Sequence, residues 1–163
     1  MAVRSITIPA THEGFLEGKK WLRRYTRQLK KNIEEFVKRM LQDGEMYAIN
    51  FLGHIDTGET LNSIMAYRDG DHGMIVAHGN AIWIEFGTGV AYNSSLHPKA
   101  ADLGMKPHGT YGKGHGANPD GWYYQDDDGN WHHTKGIPQN RFLYNTAKQL
   151  REEYERVAQE VFG

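Results

Sequence analysis

Two isolated carboxylates in motif-like settings and a scatter of histidines are the residues of this chain that could carry chemistry. Asp56-Thr57-Gly58 follows the apolar Ile55. A tripeptide of this kind serves aspartic proteases, where two carboxylates share one proton across a dimer or a duplicated lobe. One copy per chain would demand a dimeric enzyme of nearly all-sheet fold, which long helical patterns at both ends of this chain fit poorly. The other reading is a turn that ends the first helix, with the Asp side chain accepting backbone N–H groups and Gly58 supplying positive φ. Glu85 stands in the apolar run Ala81-Ile82-Trp83-Ile84-Glu85-Phe86, which then breaks into Gly87-Thr88-Gly89. A carboxylate so placed carries a large desolvation penalty unless it is paired or accepts hydrogen bonds. Catalysis would need a second group at defined reach, and spacing offers none. The pattern favours a structural Glu85 that accepts N–H groups or a hydroxyl from the Asp56–Gly58 turn or from Thr88. Gly87 and Gly89 would let the backbone approach closely. Gly87-Thr88-Gly89 is no phosphate loop, because the Gly-Lys-Ser/Thr ending is absent.

Nine histidines raise the question of a metal, above all His97, His108, His115, His132 and His133. Zinc sites use short repeated spacings, such as two histidines at i and i+4 on a helix, and none occurs here. His132 and His133 are adjacent, so on a strand they point to opposite faces. Cysteine is absent, which removes disulfides, thiolate ligands and a thiol nucleophile from the account and fits a cytosolic site of assembly. No metal and no cofactor are expected. The histidines, with Tyr111, Trp122, Tyr123, Tyr124 and Trp131, instead offer aromatic contact area for docking on another subunit.

These residues must be positioned by one domain, since 163 residues suit a single core. Val3 to Ile8, closed by Pro9, suits an edge strand or an extended arm. From Phe15, the positions Leu22, Tyr25, Leu29, Ile33, Phe36, Met40, Tyr47 and Phe51 keep spacings of three, four or their sum, which predicts one long helix over 15–51. Gly44 falls on that stripe, where the helix would kink or stop and restart. Residues 61–89 read as a small sheet: Leu61 to Arg68 as a strand, Asp69-Gly70-Asp71-His72-Gly73 as a hairpin turn, and Met74 to His78 as the partner. Ile82 to Phe86 fits either a third strand or a single helical turn. Residues 90–136 form a long insertion rich in Gly, His, Asn and Tyr, within which Gly121 to Tyr124 and Asn130 to Thr134 flank an Asp-Gly turn and predict a hairpin. Leu143, Ala147, Leu150, Tyr154, Val157 and Val161 predict a final helix over 140–162, with Asn140 as a candidate N-cap. The expected fold class is α+β: a small antiparallel sheet packed with a long N-terminal helix and a C-terminal helix, carrying a long inserted arm.

Charge is balanced overall, with 19 Lys+Arg against 20 Asp+Glu, which argues against a strongly cationic nucleic-acid binder. It is nevertheless uneven. Lys19, Lys20, Arg23, Arg24, Arg27, Lys30, Lys31, Lys38 and Arg39 face only Glu34 and Glu35 in the same stretch, whereas Asp126, Asp127 and Asp128 cluster late in the chain. A solvated helix face explains the basic stretch, and complementary surfaces on neighbouring subunits would also use such asymmetry. Contact with DNA, if made, would be through phosphates and not sequence-reading. No apolar run approaches the length of a bilayer span, and no apolar segment follows the N-terminus as in a signal peptide, so a soluble, non-exported protein is expected.

The order of Asp56-Thr57-Gly58, then Glu85-Phe86-Gly87-Thr88-Gly89, then Gly136-Ile137-Pro138-Gln139-Asn140-Arg141-Phe142 at the start of the last helix resembles the neck and tail-component morphogenesis proteins of long-tailed bacteriophages. The likeness spans nearly the whole chain. One departure lies in Pro138 to Phe142, where that family more often has a second small or basic residue before the Arg. The resemblance implies a structural virion protein of the head-to-tail junction and not an enzyme. It would join the DNA-filled head to the tail, or complete or terminate the tail, by ring assembly. Its implied partners are copies of itself, head-completion or connector proteins, and tail-tube or tail-terminator proteins, with non-specific contact to packaged DNA and none to membrane. Its implied place is the virion neck or tail, assembled in the bacterial host cytoplasm. The motif residues carried over are Asp56, Thr57, Gly58, Glu85, Gly87, Thr88, Gly89, Pro138, Arg141 and Phe142.

Overall fold

A computed structural model describes residues 6–53, 58–89, 97–104 and 120–163. Helix α1 runs His12–Leu52. Thr11 caps it, its hydroxyl accepting the Gly14 amide at 3.1 Å, and Glu13 in the first turn complements the helix dipole. Gly53, at φ 68°, closes the other end by donating its amide to the Ile49 carbonyl. At 1.5 Å per residue the rod is about 60 Å long. It passes through Gly44 without a break. A Cβ there would lie 3.0 Å from Leu150 Cδ1 and 3.1 Å from Ile75 Cγ1, so this glycine marks a close approach of both the last helix and the first hairpin to α1.

The buried line of α1 consequently differs from the stripe of large apolar residues. Val37, Gly44, Ala48 and Leu52 are buried, while Phe15, Leu22, Tyr25, Leu29 and Phe51 are exposed. Small residues take the core because a helix and a hairpin approach closely there. Among the described residues, the N-terminal part of the rod is covered near Gly18 by Ile8, and Phe15, Leu16 and Leu22 stay exposed. Within 3–8, the described residues 6–8 form no strand.

Helix α2 is a single turn, Glu59–Asn62. The strand expected from Leu61 therefore begins only at Met65. Ser63 is the reason: its hydroxyl donates to the Thr60 carbonyl at 2.8 Å and accepts the His78 amide at 3.0 Å, holding a turn where extended backbone was expected. Strands β1 (Met65–Asp69) and β2 (His72–Val76) pair antiparallel with Asp69 opposite His72, joined through Gly70 at φ 61°. The hairpin lies on α1, and a Cβ on Gly73 would stand 2.8 Å from Leu41 Cδ2. Helix α3 (Ala81–Phe86) resolves the open choice for that run in favour of a helical turn.

Strands β3 (Trp122–Gln125) and β4 (Trp131–Thr134) form the hairpin expected within the insertion, separate from the first. Helix α4 (Phe142–Phe162) runs antiparallel to α1. The Asn140 side-chain amide donates to the Leu52 carbonyl at one end, and Arg39 meets Glu160 at 3.2 Å at the other. The core gathers Ala48 and Leu52 of α1, Ile64, Ala81 and Ile84 around Phe142, which is fully buried. The class is α+β, as the helical and hairpin patterns led us to expect. No described helix is long and apolar enough to cross a membrane.

Candidate functional site

Glu85 lies in the last turn of α3 with its side chain only 5% exposed, and its carboxylate bonds to residues of other segments. Its Oε2 accepts the Leu143 amide at 2.8 Å, and its Oε1 accepts the Tyr144 amide at 3.0 Å. Those are donors of the first turn of α4, which have no partner within their own helix. Helix α4 has no capping side chain of its own, because Arg141 occupies the cap position in the left-handed conformation at φ 61°. Glu85 does from a distant segment what a Ser or Asp does at an ordinary N-cap, and its charge sits at the positive end of the helix dipole. Asn140, the candidate cap in the sequence, instead donates to the last turn of α1.

The third donor is His97. Its Nε2 stands 2.9 Å from Glu85 Oε1, and its Nδ1 accepts the Lys99 amide at 3.0 Å. The Lys99 bond assigns the tautomer: Nδ1 must be unprotonated, so Nε2 carries the hydrogen and donates it to the carboxylate. The imidazole is 2% exposed, 4.4 Å from the Phe86 ring and edge-on to Tyr144 at 5.4 Å. Both ring nitrogens are engaged, and so are both oxygens of Glu85. Thr88, one expected donor, bonds Ile137 instead, and the other, the Asp56 turn, lies mostly outside the described residues; the donors seen on Glu85 are helix amides and an imidazole. A buried carboxylate needs several donors at once, and the start of α4 has them aligned.

The two motifs at either side of the insertion form one seam. The backbone N–H of Asn140 donates to the Ile84 carbonyl at 2.8 Å, and that of Arg141 donates to the Glu85 carbonyl at 3.2 Å. Thr88 exchanges two bonds with Ile137: its amide donates to the carbonyl at 2.9 Å, and its hydroxyl accepts the amide at 3.1 Å. Gly87 is buried at φ 74°, and a Cβ on it would stand 2.8 Å from both Gln139 N and Ile137 O. Gly89 is held against the Lys135 carbonyl and the Trp122 ring. Pro138 lies exposed in the connecting segment, while Phe142 enters the core. Of the first motif, Asp56 and Thr57 lie outside the described residues. Gly58 opens α2 at φ 65°, and α1 has already ended at Gly53.

Beyond the seam stands the aromatic hairpin. Tyr123 and Trp131 are 69% and 70% exposed, and Tyr124 is also exposed. His133 lies opposite Tyr123 at 4.8 Å, and His132 lies opposite Tyr124 at 5.4 Å, so the two histidines do take opposite faces. His132 bonds Asp126 at 2.7 Å, and together with the Asn130 amide it holds that carboxyl below the usual Asp range. Among the described residues no group of three potential ligands could hold a metal ion. Tyr111, His108 and His115 lie outside the described residues.

Comparison with known proteins gives no match. No protein-family model, no curated protein and no solved structure matches the chain. The site therefore rests on its own geometry. His97 is the residue that spacing did not pair with Glu85, twelve positions away. The one available signal was that a carboxylate in an apolar run requires a donor.

Proposed function

We propose that this chain is a structural virion protein of the long-tailed phage neck, which joins the DNA-filled head to the tail or completes the tail through ring assembly. The observation that supports an assembly role is the use made of Glu85. Among the described residues it is the buried carboxylate, and it is consumed as a latch between α3, His97 and α4. A general acid or base must reach a substrate proton, and here both carboxylate oxygens and both imidazole nitrogens already bond to the protein. The latch holds the base of a hairpin whose large aromatic side chains face outward, as interface anchors do.

The motif order supplies the virion context. Copies of the chain and neighbouring head-completion and tail proteins would be the partners, and the host cytoplasm the place of assembly. Electron microscopy of particles made without this protein tests the reading. Filled heads lacking tails, or tails of uncontrolled length, are expected, and purified protein should restore joined particles. Normal particles in its absence would refute it.

A further inference from the structure

We infer that the β3–β4 hairpin of one copy docks on the N-terminal half of α1 of a second copy, in a head-to-tail contact; this deepens the ring-assembly reading and rests on it. Two surfaces carry the inference. One face of α1 brings together Lys19, Leu22, Arg23, Thr26, Arg27 and Lys30. Between Lys19 and Lys31 there is no acidic residue, and Phe15, Leu22, Tyr25 and Leu29 are exposed alongside. The hairpin is the counterpart, with exposed Tyr123 and Trp131 beside an acidic turn that contains Asp127 and Asp128. Cation meets anion and apolar stripe meets aromatic face, and Arg side chains stack well on Trp and Tyr rings.

Geometry decides that the contact is between copies. The hairpin springs from the seam of Thr88, Gly89 and Lys135, at the end of the molecule where Asn140 bonds Leu52. Lys30 is then about 33 Å and Lys19 about 50 Å along the α1 axis from Leu52, at 1.5 Å per residue. From Trp122 to the acidic turn at Asp128 the hairpin reaches at most about 24 Å at 3.4 Å per residue, short of Lys30. The hairpin cannot fold back onto its own basic face. Complementary patches at opposite ends of one chain give a heterologous contact, which closes into a ring if the rotation permits. A nucleic acid would use the basic face and leave the aromatic, acidic hairpin unexplained.

Paired charge reversal tests the inference. Lys19→Glu, Arg23→Glu and Arg27→Glu together form one variant, and Asp127→Lys with Asp128→Lys forms the other; all five positions are exposed, and circular dichroism checks that each variant folds. Self-association is measured by analytical ultracentrifugation over a range of salt. Each variant alone is expected to associate at least about 10-fold more weakly than the unaltered chain, and an equimolar mixture of the two should recover association, because each reversed patch then meets its complement. A mixture no stronger than its components would overturn the inference. So would a helix variant that self-associates normally and loses only binding to duplex DNA. Addition to extracts that lack the protein separates the two levels. If the unaltered chain restores joining and both variants do so equally well, the contact is wrong and the junction role stands; if the unaltered chain fails, the junction role is wrong.

Discussion

The carboxylate of Glu85 accepts the amide hydrogen of Leu143 at 2.8 Å across 58 positions of chain. This bond, with its companion from Tyr144, makes the start of α4 dependent on the end of α3. The long insertion between them is thereby pinned at both ends.

Replacing Glu85 should destabilise the fold more than any other single carboxylate change among the described residues. Glu85→Gln keeps the shape but brings an NH2 group towards N–H donors, and about 1–3 kcal/mol should be lost for each donor left unsatisfied. Urea unfolding followed by circular dichroism measures this. A midpoint unchanged from that of the parent chain would show that the latch contributes nothing.

His97→Phe removes the imidazole donor and keeps an aromatic ring between Phe86 and Tyr144. A loss of about 1–3 kcal/mol is expected, in line with a bond to a charged acceptor. In a double-mutant cycle the Glu85 and His97 changes should couple by at least about 0.5 kcal/mol, since they share one network. Simple additivity would contradict the direct bond.

Glycine substitutions separate strain from collision. Gly53 and Gly87 both have φ near +70°, but a Cβ on Gly53 meets nothing within 4 Å among the described residues, whereas on Gly87 it meets backbone at 2.8 Å. Gly53→Ala should cost only the conformational penalty, about 1–3 kcal/mol. Gly87→Ala should cost distinctly more, because Ile137 and Gln139 must move and the seam with them. Equal thermal midpoints for the two variants would count against the tight seam.

The Tyr47–Glu153 bond of 2.8 Å between α1 and α4 should give stability a defined pH window. The Tyr47 hydroxyl, then the Gln149 amide and Arg156, hold the Glu153 carboxyl below its ordinary 4.5. Its contribution is present above that value in full and is lost as pH falls through the depressed folded value. The same bond raises Tyr47 above its ordinary 10.0, so from that side the contribution is present below 10.0 and is lost as pH rises through the raised folded value. Tyr47→Phe should therefore differ from the parent chain by about 1 kcal/mol between those limits, and the two should converge outside them. A difference independent of pH would mean that packing, not this bond, is what the substitution removes.

The legible parts of this molecule were the ones set by local free energy. Spacings of three and four gave α1 and α4 because a helix repeats its face at that period, and Gly70 with Asp71 and the Asp128-Gly129 pair gave both hairpins because tight turns need those residues. The motif residues Gly87, Thr88, Gly89, Arg141 and Phe142 were also visible, though not their meeting. Leu61 to Ile64 misled because the apolar and branched content there suits a strand, while the Ser63 hydroxyl bonds of the folded chain hold a turn.

What the sequence determined by itself was the two long helices, the two hairpins with their turns, and the α+β class. Tertiary structure alone decided that small residues, Gly44 and Ala48, line the core side of α1, since the large apolar residues fit no better-packed neighbour at that close approach. It alone decided the fate of Glu85. A buried charge is stable only where several donors converge, and donors from α4 and His97 converge through folding of segments that no local spacing relates.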